Sequence, residues 1–273
     1  SVSSISIKYE IEENKKGQEY KNGLLNHCKE WDVYISMCEL EEKHIIDSTG
    51  FNKKIIRLGI PSTDYIVNNK DIKDNELLKK FNIPKDKKVI LYAPTYRSDL
   101  LGQENINIRI ESLKKLTDYV VLVRLHPLLN SKINKKLFDD SNFINVCEEE
   151  DIVNLYLITD ILISDYSASI YEFALTGKKI VLYPYDYDEY KKENYQKQIG
   201  VTETKKKILP GPICYDENEL YDTILNIEKI YPKYNEKWNN FNKKYNYMND
   251  GEATKRFAQY LINGNLERSD KNE

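Results

Sequence analysis

From residue 88 to residue 183 the chain alternates short apolar runs with longer polar segments. The runs cover residues 89–93, 119–123, 143–146, 161–163 and 179–183. Each is continuous rather than alternating and too short for a helix, which reads as a strand buried on both faces. The stretches between them predict helices near residues 106–116, over 131–138 and 152–158, and over 170–175, the last stopped by Gly177. Strands alternating with helices at this spacing define an α/β class with a doubly wound, mainly parallel sheet.

Outside this block the pattern is looser. Residues 1–30 are polar, and Gly17 and Gly23 are expected to break any helix there. Residues 31–36 read as a strand, 38–48 as a helix and 55–58 as a second strand. A turn-rich segment from Gly59 to Tyr65, a charged helix at 74–81 and Pro84 mark residues 59–87 as a crossing between domains. After Tyr183 the chain is irregular and charged up to Leu209, then re-enters structure at 210–215. Helices are expected over 217–230, about 233–245 and about 251–262, with a turn at Asp250-Gly251 and a disordered tail over 265–273.

Composition changes this picture little. With 273 residues, 40% hydrophobic and 31% charged, the chain is an ordinary soluble globular protein able to bury a large core. Its 44 acidic and 41 basic residues nearly cancel, which argues against nucleic acid as the partner. Cys28, Cys38, Cys147 and Cys214 form no C-x-x-C pair, so neither a zinc site nor a disulfide framework is expected, and a reducing cytosol fits best. No carboxylate cluster asks for a metal, and no run reaches the ~18–20 apolar residues of a membrane span. The opening residues lack the basic start and apolar centre of a signal peptide, and no initiating Met is present, as in part of a longer protein.

The chemistry concentrates where three of the apolar runs end. They are followed by Pro94, Thr95, Tyr96 and Arg97, by Arg124, Leu125, His126 and Pro127, and by Ser164, Asp165, Tyr166, Ser167, Ala168 and Ser169. In a parallel sheet all carboxyl ends share one edge, so the three groups should converge on one crevice. Guanidinium forks bind phosphate oxygens bidentately, and a histidine adds a hydrogen bond or a proton. Unpaired N–H groups at the start of the helix after Ser167 add to an anion site. Ser169 and Glu172 also have the spacing of a capping box. Arg124 and His126 are two apart, which places both side chains on one side of an extended segment. Neither G-x-x-x-x-G-K-[ST] nor G-x-G-x-x-G occurs, so a P-loop or a dinucleotide fingerprint is not supported. His27 and His44 carry no motif and read as structural.

VILYAPTYR, VRLHP, DILISDYSASIYEFALTGKKIVLYPYDYDEY, LPGPICYDENEL and DGEATKRFAQYL together resemble the CDP-glycerol glycerophosphotransferase family, in order and spacing, from about Trp31 to Ile262. The resemblance implies a GT-B fold of two Rossmann-like domains with the active site between them. Residues 1–58 would end the N-terminal domain, 88–232 would be the nucleotide-binding domain and 233–264 its closing helices. It implies transfer of a polyol-phosphate from a CDP-activated donor to a growing teichoic acid or capsule polymer, or to a lipid-linked acceptor, releasing CMP, with no cofactor. The work would be done in the cytoplasm at the inner face of the membrane, where lysines in 132–136 and 205–207 could meet anionic lipid.

By the same resemblance Pro94, Thr95 and Arg97 approach the nucleotide. Arg124 and His126 face the diphosphate as catalytic groups, with Ser164 and Asp165 at the same strand-end crevice. Ser167, Ala168 and Ser169 open the helix at the phosphates, and Glu172 lies near the ribose. The chain departs from the family at Ala168, where Ser is usual, and at Pro61-Ser62-Thr63-Asp64, where Pro-Arg-Asn-Asp is usual. An Arg-Gly-Phe-Tyr-like segment is missing from 191–207, and the Trp-His-Gly motif that carries the general base is missing from 1–30. Two other readings use the same pocket: a nucleotide-sugar glycosyltransferase, and a nucleotide-binding module without activity of its own.

Overall fold

The computed structural model describes residues 18–72, 75–97, 100, 102–188 and 208–263. Seven strands are β1 (Val33–Ser36), β2 (Lys54–Arg57), β3 (Lys88–Tyr92), β4 (Tyr119–Val123), β5 (Phe143–Asn145), β6 (Ile161–Ser164) and β7 (Lys179–Leu182). The chain divides into two units, residues 1–69 with 243–273, and residues 70–242.

In the first unit β1 and β2 pair in parallel, Val33 opposite Lys54 and Ser36 opposite Arg57, with the helix Glu39–Thr49 as the crossover. Ile45 and Phe51 form a small buried core against Leu25, Trp31, Tyr34 and Ile55. Leu25 belongs to a helix, Gln18–Glu30, that the two glycines were expected to prevent. One Gly in a helix costs only about 1 kcal/mol, and burial of Cys28 with partial burial of Leu25 offsets it. The helix Ala253–Ile262 is held by Asp64, whose two carboxylate oxygens accept from the N–H groups of Ala253 (3.0 Å) and Thr254 (2.7 Å). Gly59, at φ 80°, has no room for a side chain, because a Cβ would overlap the Met248 carbonyl.

The second unit carries a five-stranded parallel sheet in the order β5-β4-β3-β6-β7. Its strands bury both faces, as the continuous apolar runs predict: Val89, Ile90, Leu91, Leu122, Val123, Leu162 and Ile163 have no measurable exposure. The chain runs outward from β3 through β4 to β5, then returns to lay β6 on the other side of β3. The order therefore reverses between β3 and β6, and the crevice beyond the carboxyl ends at such a reversal is where open α/β sheets bind ligands.

The outer edge of β7 is covered by the segment at Pro212, where Leu182 N–H donates to Pro212 O and Cys214 N–H to Leu182 O, both at 2.8 Å. Gly211 permits this approach, since a Cβ there would overlap the Ile180 carbonyl oxygen.

Several expected helices differ. Residues 106–116 form no α-helix: Ile106, Ile108 and Ile110 are buried on alternate positions, Ile106 bridges in parallel to Ile133, and only Glu111–Lys115 coils as a short 3-10 turn. Period two, not 3.6, governs this stretch. The helix expected at 131–138 is instead Pro127–Asn130, started early by Pro127 at its first position and His126 as cap, followed by a 3-10 turn at Lys135–Asp139. The helix expected over 217–230 breaks at Asn226 into Glu217–Leu225 and Ile227–Ile230. A 3-10 turn, Tyr231–Tyr234, precedes Asn235–Tyr245. The tail and most of the irregular segment before residue 208 lie outside the described residues. No helix among the described residues is long and apolar enough to cross a membrane.

Candidate functional site

The chain leaves β3 through Ala93 and Pro94 and leaves β6 through Asp165, side by side at the reversal point. Asp165 is 1% exposed and spends both oxygens on its neighbours. One accepts from the N–H groups of Thr95 (2.7 Å) and Tyr166 (2.5 Å), and the other from Arg97 Nη2 (2.7 Å). Arg97 Nη1 donates to the Thr95 carbonyl at 2.9 Å, so the Thr95 backbone is held at both its N–H and its C=O.

The remaining edge of the guanidinium faces Asp186, beyond β7, with Nε to Oδ2 at 2.6 Å and Nη2 to Oδ1 at 3.1 Å. The Tyr166 ring lies 5.2 Å from the guanidinium carbon, and its hydroxyl donates to Asp186 Oδ1 at 3.3 Å. Burial opposes the charge on Arg97, but Asp165 and Asp186 outweigh it and hold the pKa above its ordinary value. Arg97, expected to reach a phosphate, is thus enclosed by carboxylates.

The turn after β6 is tied down by hydroxyls. Ser164 Oγ donates to the Ala93 carbonyl at 2.7 Å and lies 3.4 Å from Ser169 Oγ. The helix here is Ser169–Phe173, capped at Gly177 through a short 3-10 turn, with Ala168 at the N-cap position and no side-chain cap. The expected Ser169–Glu172 capping box does not form. Ser167 Oγ, two residues earlier, takes the Ser169 N–H at 3.2 Å and the Ser169 hydroxyl at 2.9 Å. Glu172 instead meets the hydroxyl of buried Tyr156 at 3.4 Å, and burial raises its pKa. A five-residue helix contributes only a small dipole, and the unpaired N–H groups expected at its start are taken: Ser169 N–H by Ser167 Oγ, Ile170 N–H by Ser167 O and Tyr171 N–H by Ala168 O.

Beyond β4 the two expected catalytic groups part. Half-buried Arg124 turns towards the segment after β5: Nη1 donates to the Glu149 and Val146 carbonyls and Nη2 to Glu150 O at 3.5 Å. Exposed His126 turns to the other side and packs on Tyr96, ring centres 4.7 Å apart. Its Nδ1 accepts from the Leu128 N–H at 3.4 Å, which leaves Nε2 as the protonated nitrogen of the neutral ring. Thr95 Oγ1 is buried with no hydrogen-bond partner.

The structure therefore brings Pro94, Thr95, Arg97, Ser164, Asp165, Ser167, Ala168 and Ser169 together around the β3–β6 reversal. Arg124 and His126 stand one strand away. Asp186, Tyr166 and Tyr96 are contributors that sequence reasoning did not single out. Asp186 sits in the DYDEY stretch, but its partner is 89 residues distant and no local spacing announces it.

Removing Arg97 should leave two carboxylates facing each other, one of them wholly buried. Arg97→Ala is expected to cost ~3–5 kcal/mol of unfolding free energy, the range for a broken buried ion pair. Denaturant melts would measure it; a loss below ~1 kcal/mol, as for a surface pair, would contradict the enclosed geometry.

Comparison with known proteins places this geometry. The family model described as CDP-Glycerol:Poly(glycerophosphate) glycerophosphotransferase matches residues 5–263. The chain is 32% identical over 255 residues to the teichoic acid glycerol-phosphate transferase of Staphylococcus aureus, covering 90% of this chain and 64% of that protein. Among solved structures it resembles the wall teichoic acid polymerase TagF, with a TM-score of 0.80 and 26% identity over 92% of this chain and 62% of that one. A variant of TagF soaked with CDPG matches at a TM-score of 0.80 and 27% identity, over 92% of this chain and 63% of that one. The chain thus spans less than two thirds of the length of these relatives, and its α/β architecture with parallel sheets is the GT-B-like one expected. Because the match runs over nearly the whole chain and takes in every strand-end residue described above, the chain belongs to the CDP-glycerol:poly(glycerophosphate) glycerophosphotransferase family.

Proposed function

We propose that the carboxyl edge of the five-stranded sheet holds the CDP moiety of a CDP-activated polyol, and that the full protein transfers the polyol-phosphate to a growing cell-surface polymer. The observation that carries this reading is the convergence of the Thr95, His126 and Ser167 segments at one sheet edge, at the reversal between β3 and β6. The family match and the likeness to TagF support it.

In the reaction, a terminal hydroxyl of the acceptor attacks the β-phosphorus of the donor. A bond forms between that oxygen and phosphorus, the bond from phosphorus to the bridging oxygen breaks, and CMP departs with the bridging oxygen and its electron pair. The charge that grows on the bridging oxygen is what the site must stabilise. His126, with Nε2–H exposed and its ring fixed by Tyr96 and the Leu128 N–H, donates to it or protonates it. The backbone of Ser167 and Ala168 and the Ser167 hydroxyl, whose oxygen already accepts from Ser169, receive phosphate oxygens. Half-buried Arg124, turned to the carbonyls after β5, adds positive potential at the same sheet edge, while Arg97 shapes the site from behind. Glu172, on the helix after this turn, faces the ribose. The proton of the attacking hydroxyl passes to water, and the step as written uses no metal or cofactor.

Two measurements check this reading. Calorimetry on the chain should show CDP and CMP binding better than ADP and GDP; equal affinities for all four would remove the cytosine pocket from the account. In the full-length protein, His126→Ala should lower transfer from the CDP-polyol by at least ~10²-fold, the lower end of general acid–base assistance, with thermal stability close to the parent. Near-normal turnover would return His126 to the scaffold.

A further inference from the structure

We propose that Asp186 is a positioning residue of the donor site, acting through Arg97 on the Thr95 loop. The proposal rests on the donor-site reading above and adds to it a residue from the segment beyond β7.

Asp186 grips the outer edge of Arg97 with both carboxylate oxygens, at 2.6 and 3.1 Å, and is steadied by the Tyr166 hydroxyl. The other edge of the same guanidinium holds Asp165 and the Thr95 carbonyl. One planar group therefore joins the segments that follow β3, β6 and β7, and a guanidinium transmits such a constraint because its N–H directions are fixed. The Arg97 side chain is 9% exposed and that of Asp186 18%, so water cannot readily replace the carboxylate.

Without Asp186, Nε and one N–H of Nη2 would lose their acceptors in an enclosed space. The guanidinium would then turn to recover partners, since an unsatisfied buried donor is costly. Turning releases the Thr95 carbonyl and Asp165, and Asp165 also holds the Thr95 N–H. The hold on the Thr95 carbonyl is thus lost, and the carboxylate that holds its N–H loses its buried counter-charge. A carboxylate in this place would be an odd choice for direct phosphate binding, because it repels the ligand. It makes sense as the far anchor of a strut.

The test is calorimetry with CDP and with cytidine on the parent chain, Asp186→Asn and Asp186→Glu, with melting curves alongside. Asp186→Asn should lose about ten-fold in CDP affinity, the scale of one charged hydrogen-bonded contact, while cytidine affinity stays at the parental value. Asp186→Glu, which keeps the charge, should recover part of the loss. A residue that merely stabilised the fold would weaken both ligands in parallel with the melting temperature.

Unchanged or tighter CDP binding by Asp186→Asn overturns the proposal and leaves the donor site standing; tighter binding would mean that Asp186 competes with phosphate for Arg97. A parent chain that binds neither CDP nor CMP removes the donor-site reading, and the proposal with it. If Asp186→Asn does not fold, Tyr166→Phe, which removes the hydroxyl that donates to Asp186, should show the same selective loss at about 2–3-fold. Equal binding by that variant would then count against the strut.

Discussion

One guanidinium between two carboxylates organises the carboxyl edge of the five-stranded sheet. Strand ends in an open sheet are loops, and loops without tertiary ties are mobile. Arg97 ties the loop after β3 to those after β6 and β7, and does so inside the protein rather than on its surface. A buried ion pair contributes little net stability over an apolar replacement, but it has only one well-satisfied geometry. Here that geometry fixes the Thr95 peptide and the start of the Ser164–Ser169 turn. Ser164, donating to Ala93 O, pins the same two loops at their base.

The arrangement separates framing from contact. Arg97 and Asp165 are enclosed and frame the crevice, whereas His126 is exposed and oriented by its tilted contact with the Tyr96 ring and by its Nδ1. Position follows the same division: the carboxylates lie behind the Thr95 loop, while Arg124, held by backbone carbonyls, and the exposed His126 stand beyond β4. A diphosphate needs positive potential at its oxygens and a proton donor near the leaving group, and the exposed group is the one able to provide the proton.

Most of the fold was legible because the sheet is buried on both faces. Continuous apolar runs located all five strands of the second unit, and the runs at 119–123 and 152–158 coincide with the observed strand and helix. Legibility failed where two periods compete. Ile106, Ile108 and Ile110 alternate, yet neighbouring polar residues made the stretch resemble a helix. It failed again where a local signal was outbid by a nearby one, as when Ser167 took the Ser169 N–H that the Glu172 side chain was expected to take. The strand-end residues were legible through topology alone: a parallel sheet must bring them together. Asp186 was not, because a contact spanning 89 positions leaves no periodic trace. Asp64 is a similar case: it stands in one recognised motif and caps the helix of another, Ala253–Ile262.

The central claim is that the carboxyl ends of β3, β4 and β6 form the CDP site. Amide-resolved nuclear magnetic resonance during a CDP titration tests it directly. The account predicts that the largest shifts fall on Thr95, His126, Ser167 and Ala168, rising together with one saturation curve. Shifts centred on other segments, or none at saturating CDP, would contradict it.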